Sequence, residues 1–238
     1  MKVKWIHIKL PLLLLLVVFL FSFTANRNAA RKMSGVEIEF ADSNQLFITY
    51  EMVNKLLIQN RADTSGVRKD ELDLNILEQA LISNDMIQNA HVYLTVNGQL
   101  GAKVKQRKPI ARVNTTVPFY IDSEGKPMPL SGVFSARVPI ITGDVNKNDL
   151  DETFELSEYI QNDTFLKKHV VGIHKTGKSF ELELRVDEFV VKLGDLENLD
   201  KKFFNFKAFY QKAIKDKSLS EYEAVNLKFN NQVVCTKK

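Results

Sequence analysis

Residues able to do covalent or metal chemistry are few in this 238-residue chain and lie far apart in it. Lys175-Thr176-Gly177 matches one of the three short motifs of serine β-lactamases and penicillin-binding proteins, and one motif of three is a weak signal. The histidines lack His-Glu-x-x-His spacing, and the single cysteine, Cys235, cannot complete a zinc site. The four histidines are His7, His91, His169 and His174. The sequence therefore predicts no catalytic residue, no metal and no cofactor.

A lysine-rich segment near the C-terminus could instead bind an anionic partner. Residues 201–217 hold six lysines and one aspartate, interleaved with five aromatic residues. Three of the aromatic residues recur at the spacing of a helix face that packs on a core, which favours a solvated lysine face over a membrane or nucleic-acid site. These three are Phe203, Phe206 and Tyr210. Phe204 and Phe209 lie off this stripe. Because the net charge is only +4, we predict no nucleic-acid partner. Because no catalytic or cofactor motif is recognised, we also predict no small-molecule substrate.

The N-terminus contains an apolar run that is about as long as the ~20 residues a helix needs to cross a bilayer. We predict that residues 5–25 form a single transmembrane signal anchor and that residues 1–9 hold a short cytoplasmic tail and the start of the anchor. A cleaved signal peptide is the alternative. It is disfavoured because the run lacks a clear small-x-small cleavage site and is followed directly by Arg27. Basic residues on both sides of the run do not decide its orientation, but a short tail followed by a large domain is the arrangement of a protein held at the membrane with its bulk translocated.

Residues 36–107 are predicted to contain a strand, two helices and two further strands. The first strand is indicated by apolar residues that alternate with glutamates from Val36 onward. Thr49 and Asp73 have N-cap side chains, and each precedes a helical apolar pattern. Asn97-Gly98 is a strong hairpin signal between two alternating segments. This βααββ order resembles a POTRA domain, a module of bacterial envelope proteins.

Residues 108–238 are predicted to form a β-rich domain with two helices and a C-terminal edge strand. The helices are expected at about 150–162 and 201–217, with a three-strand meander between Val170 and Gly194. The last strand is expected to span Ala224 to Phe229. The predicted fold class is therefore α+β, with a single N-terminal transmembrane helix, a POTRA domain and this β-rich domain.

Four features in sequence order make the chain similar to the FtsQ/DivIB family of bacterial cell-division proteins. They are the POTRA-type unit, the step Arg107-Lys108-Pro109 that leaves it, the strand Phe119-Tyr120-Ile121-Asp122, and the Pro-hydrophobic-Thr-Gly segment from Val138 to Gly143. With the N-terminal run and the closing strand, the resemblance extends over the whole chain.

The resemblance implies a non-enzymatic bitopic scaffold of the division machinery, the divisome, at the division septum. It also implies that the protein lies in the cell inner membrane, with the N-terminus cytoplasmic and the bulk of the chain outside the cytoplasm. Such a scaffold links early and late septal proteins and supports septal peptidoglycan synthesis. The implied partners are FtsB and FtsL, bound through the closing strand, with other division proteins as partners of the POTRA domain. The implied contact residues are Val225, Asn226, Leu227, Lys228, Phe229, Asn230 and Asn231.

The residues alone leave open how this closing segment is arranged. Ala224 to Phe229 could be an edge strand, which offers unpaired backbone groups to a partner. Alternatively, Asn230-Asn231 could be a turn, after which Gln232 to Cys235 pairs back within the domain. The resemblance favours the exposed edge.

Two other functional classes remain open. A POTRA-containing envelope transport or outer-membrane assembly component is the first alternative, for which repeated POTRA units are expected and none is seen. An anchored envelope hydrolase is less favoured, because no convergent nucleophile and base can be recognised.

Overall fold

A computed structural model describes residues 6–29, 35–41, 47–59, 72–95, 97–229 and 232–238. The chain divides into two compact units, Met1–Gln106 and Arg107–Lys238. The secondary structure is mixed α+β, so this part of the predicted fold class is confirmed.

The first helix, α1, spans Ile6–Ala29. Its described apolar side chains are exposed, including those of Leu12 and Phe21. No helix in the described part of the chain has the length and hydropathy of a membrane span. The transmembrane anchor at residues 5–25 stays a prediction.

The remainder of the first unit has the predicted order of elements. They are β1 (Gly35–Phe40), α2 (Tyr50–Gln59), α3 (Leu74–Ile82), β2 (Ile87–Leu94) and β3 (Gln99–Gln106). The three strands form one sheet in the order β1-β3-β2, with β1 parallel and β2 antiparallel to β3. The polar sequence from Arg61 to Lys69, which predicts a loop between the two helices, lies outside the described residues.

Both helices of this sheet-and-helix unit begin at the predicted N-caps. Thr49 Oγ1 accepts a hydrogen bond from the Met52 N–H at 3.3 Å. Asp73 Oδ1 accepts from the N–H groups of Asn75 and Ile76 at 3.0 and 3.3 Å. These acceptors satisfy amides that have no partner inside the helix, so α2 and α3 start where short polar side chains precede apolar faces.

The second unit contains nine strands and three α-helices among its described residues. They are β4 (Pro109–Val113), β5 (Phe119–Asp122), β6 (Pro127–Pro129), β7 (Ile140–Gly143), α4 (Asp151–Asn162), α5 (Thr164–His169), β8 (Val170–Thr176), β9 (Ser179–Leu184), β10 (Val190–Gly194), α6 (Leu199–Asp216), β11 (Tyr222–Asn226) and β12 (Val234–Lys237). The strands form one sheet in the order β12-β11-β10-β9-β8-β7-β4-β5-β6.

Two parallel strand pairs explain the positions of the helices. β7 pairs in parallel with β8, and β10 pairs in parallel with β11. A parallel pair needs a crossover, which α4 and α5 supply in the first case and α6 in the second. Between these crossovers, β8, β9 and β10 form the predicted antiparallel meander.

The prediction of two helices in this unit is wrong, because α5 is a third. Asp163 begins α5, and its Oδ1 accepts from the N–H groups of Phe165 and Leu166 at 3.0 and 2.9 Å. With six residues, α5 is too short to show an apolar period, so only its cap residue could have indicated it.

The predicted core face of α6 is confirmed. Phe203 and Phe206 are fully buried and Tyr210 is nearly so, whereas Phe204 is 72% exposed. Phe209 is half-buried, and its ring centroid lies 5.3 Å from that of Tyr222. Together with the inner faces of the strands, this stripe forms the core of the second unit.

Candidate functional site

The chemically capable residues that the structure describes do not converge on one site. Lys175 is buried, its ammonium pairs with Glu152 at 2.8 Å, and it lies 5.6 Å from the ring centroid of Phe180. These contacts give Lys175 a structural role in the second unit. In the described residues, no group of three or more His, Cys, Asp and Glu side chains could hold a metal ion.

The closing segment is arranged differently from the predicted edge strand. β11 (Tyr222–Asn226) lies between β10 and β12, parallel to the first and antiparallel to the second. The Leu227 N–H also donates to the Lys192 carbonyl at 2.9 Å. The expectation that Ala224 to Phe229 is the edge is therefore wrong, because β12 returns and covers it.

The implied contact residues have unequal access to a partner. Val225 and Leu227 are buried at 0% and 1% exposure, so their side chains belong to the core. Asn226 is half-buried, and its Oδ1 accepts from the Lys228 N–H at 3.0 Å. Lys228 and Phe229 are exposed, Phe229 at 47%. The remaining two, Asn230 and Asn231, lie outside the described residues.

The exposed edge of the nine-stranded sheet is β12. Lys238, the residue that follows β12, donates its N–H at 2.9 Å to the carbonyl of Glu221, the residue that precedes β11. Because successive residues of a strand direct their backbone groups to opposite sides, the N–H and C=O groups of Cys235 and Lys237 face away from β11. The Cys235 side chain is half-buried, and burial raises the pKa of its thiol.

The opposite edge of the same sheet cannot accept a strand equally well. β6 has only three residues, Pro127, Met128 and Pro129. Proline has no N–H to donate, and prolines on a short edge strand are a common protection against added strands. Among the described residues no strand pairs with the outer side of β12, so β12 is the edge of this sheet that is open to strand addition.

A cavity of about 440 Å³ lies beside the end of β12. Tyr222 and Lys238 line it together with two apolar side chains, Val186 at 80% and Ile214 at 52% exposure. At its rim, Lys238 Nζ pairs with Glu188 at 2.7 Å. The end of the open edge is thus flanked by apolar surface with charged groups around it.

Comparison with known families agrees with this architecture. A family model described as a POTRA-like domain matches residues 31–105, which contain the βααββ unit. The chain is therefore an α+β protein with a POTRA-like domain. A model described as FtsQ/DivIB, C-terminal related, matches residues 108–236, more than half of the chain.

The chain thus belongs to the FtsQ/DivIB family. Membership of this family supports a division-related scaffold, and both the FtsQ/DivIB family and POTRA domains are non-catalytic scaffold types. No curated protein matches the chain.

Proposed function

We propose that the chain is a non-enzymatic scaffold of the divisome that binds FtsB, and FtsL with it, by strand addition to β12. Through this contact it links early and late septal proteins and supports septal peptidoglycan synthesis. The observation that carries the proposal is the open edge of β12, in a sheet whose other edge is closed by proline.

In the proposed complex, a short strand of the partner pairs with the outward N–H and C=O groups of Cys235 and Lys237. Such backbone pairing supplies affinity, and flanking side chains supply specificity. A neighbouring partner helix packs on the apolar and basic surface beside the edge, which includes Val186, Ile214 and Lys238.

Within the implied contact set, Lys228 and Phe229 supply the side-chain contacts. Val225 and Leu227 act by holding β11 against the core, and Asn226 by fixing the turn toward Lys228. Asn230 and Asn231 remain in the proposed contact region because they connect β11 to β12 in the sequence.

We also propose that residues 5–25 anchor the protein in the inner membrane, with residues 1–9 cytoplasmic and the bulk at the septum outside the cytoplasm. The support is the apolar sequence and the exposed row of apolar side chains on α1, since an exposed apolar patch marks a membrane or protein contact. Membrane fractionation with alkaline carbonate tests this. Extraction into the soluble fraction would contradict an integral anchor.

Depletion of the protein distinguishes division from envelope assembly. If both units act in the divisome, with the POTRA-like unit contacting other division proteins, we expect depletion to give filamentous cells with unfinished septa. A fluorescent fusion of the protein should then localise to mid-cell. Loss of outer-membrane proteins with normal septa would instead identify an assembly component.

The sharpest test of strand addition compares two substitutions of Lys237. Lys237→Pro removes an N–H on the open side of β12, whereas Lys237→Ala keeps it, and both remove the 2.8 Å ion pair with Glu221. We expect capture of FtsB-FtsL to fall by about tenfold or more with proline and to stay near wild type with alanine. Equal capture by the two variants, with unchanged circular dichroism, would refute pairing at this edge.

A second comparison tests the side-chain contact. Phe229→Asp places a charge on the exposed end of the β11 segment and should weaken binding of FtsB-FtsL without unfolding the domain. Val117→Asp is the control, because Val117 is 77% exposed in the connection between β4 and β5, near the other edge of the sheet. Wild-type affinity of the Phe229 variant would remove this residue from the interface.

A further inference from the structure

An open cavity of about 350 Å³ in the second unit is lined by basic and hydroxyl side chains. It lies where the turn between β8 and β9 meets the end of β10 and the first turn of α6. The lysines are Lys178, Lys202 and Lys228; the hydroxyl residues are Thr176 and Ser179; the single acid is Asp195.

The charge in this cavity is unbalanced. Three ammonium groups face one carboxylate, so the lining side chains carry a net charge of about +2 at neutral pH. Among the described residues, neither Lys178 nor Lys228 has an ion pair, although Lys228 contributes to the field that lowers the pKa of Asp195. Converging cations repel each other, and a bound anion would relieve this repulsion.

Lys202 provides a fixed cation at the base of the cavity. Its side chain is only 5% exposed, and its ammonium donates to the side-chain Oδ1 and the carbonyl oxygen of Asp195, at 2.6 and 2.8 Å. An ammonium has three donors, and the described contacts occupy two. The pair holds the ammonium in one place and leaves a donor for a ligand.

Gly194 positions the second lysine. Its φ is +79°, and a Cβ at this position would lie 2.9 Å from Cγ of Lys228. The stem of Lys228 therefore lies directly on the Gly194 backbone, in space that any other residue would fill. This packing directs Lys228 along the cavity although it is an exposed residue.

The sequence contains a signal for this site. Gly172 to Ser179 reads Gly-x-x-x-x-Gly-Lys-Ser, the pattern of a phosphate-binding loop. That loop requires a strand followed by a helix, whereas here the segment is β8, a tight turn and β9. The segment is therefore not a nucleotide-hydrolysing loop, but its Thr176, Lys178 and Ser179 line the cavity.

We infer that this cavity binds a phosphate group. A phosphate monoester carries about −1.5 to −2 charges at pH 7 and has three strong acceptor oxygens, which match the cavity's net charge and its ammonium and hydroxyl donors. Lysine binds phosphate as a point charge, so the site does not need the planar, two-donor guanidinium of an arginine. The phosphate is either the free ion or the end of a larger ester, and this inference does not depend on strand addition at β12.

The test is calorimetric titration of the purified full-length chain in detergent with inorganic phosphate, at ionic strength held constant with sodium chloride. We expect saturable binding of one phosphate per chain. Lys178→Ala and Lys228→Ala should each weaken binding by about tenfold, since each removes a charge-assisted contact. Lys212→Ala is the matched control, because this exposed lysine of α6 does not line the cavity.

Two further measurements complete the test. Lys178→Arg should restore most of the affinity, because it keeps the charge. Titration with glycerol 3-phosphate identifies the source: tighter binding than inorganic phosphate indicates an ester ligand, and weaker binding indicates the free ion. No saturable binding of either probe, or an equal loss in the Lys212 variant, would overturn the assignment.

Discussion

At the scale of single residues, the start of the second unit depends on one buried carboxylate. Asp122 is 1% exposed. Its Oδ2 accepts from Arg107 Nε at 2.7 Å, and its Oδ1 accepts from the N–H groups of Glu124 and Lys126 at 2.9 and 2.8 Å. Arg107 also donates to the carbonyls of Lys126 and Pro127 at 3.2 and 3.0 Å. The pair therefore joins the first residue of the unit to the turn between β5 and β6.

Removal of Asp122 should be strongly destabilising. Asp122→Ala leaves the guanidinium of Arg107 buried without its counterion, which costs about 3–5 kcal/mol in the free energy of unfolding. Urea denaturation of the second unit, followed by circular dichroism, measures this. Glu124→Ala is the control, because it removes an ion pair of the same turn, between Glu124 and Lys126, in which both side chains are well exposed. If the two variants lose equal stability, the buried pair has no special structural role.

At the scale of elements, local signals in the sequence predicted most helices and strands, but not which strands pair with each other. Thr49 and Asp73 as caps, and Asn97-Gly98 as a hairpin, act within a few residues, so the sequence displays them. The pairing of β11 with β10 joins segments about 34 residues apart and has no local signature. β12 is only four residues long, so the residues alone left open whether this segment pairs back on β11 or leaves β11 as the edge. The cavity lysines come from three separate parts of the chain, and the Gly172–Ser179 pattern contains only Lys178, so the sequence alone does not predict that the three lie together.

One open edge of the first unit is capped by a side chain. Glu78 of α3 accepts a hydrogen bond from the backbone N–H of Val92 in β2 at 2.9 Å, and its carboxylate also lies 3.2 Å from Nδ1 of His91. β2 is an edge of the three-stranded sheet. A carboxylate on an outward N–H satisfies a donor that another strand could otherwise use.

Glu78 should therefore protect the Val92 amide. In Glu78→Ala, we expect hydrogen exchange at this amide to become about tenfold faster, because a charge-assisted bond is lost. Glu78→Gln should retain most of the protection, since its amide oxygen can still accept. The His91 amide, which by alternation faces β3, serves as the internal reference. Unchanged exchange at Val92 in the alanine variant would show that the cap is not occupied in solution.

At the scale of the whole molecule, each unit has its own hydrophobic core. The core of the first unit includes Leu81 and Val53, and the core of the second includes Phe206 and Leu182. The second core is larger and draws on every helix of its unit. Smaller cores bury a smaller fraction of apolar surface and give lower stability, so the two units should differ in their resistance to unfolding.

We therefore expect two unfolding transitions in calorimetry of the full-length chain in detergent, with the lower one belonging to the first unit. Leu81→Ala should lower the midpoint of that transition alone, because Leu81 is completely buried in the first core and its truncation costs about 2–5 kcal/mol in the free energy of unfolding. Phe206→Ala should lower the midpoint of the higher transition alone, because its ring is completely buried in the larger core and its loss costs about 3–5 kcal/mol in the free energy of unfolding. The two variants are controls for each other. A single transition that both variants shift equally would contradict this expectation, because the two units would then unfold as one cooperative body.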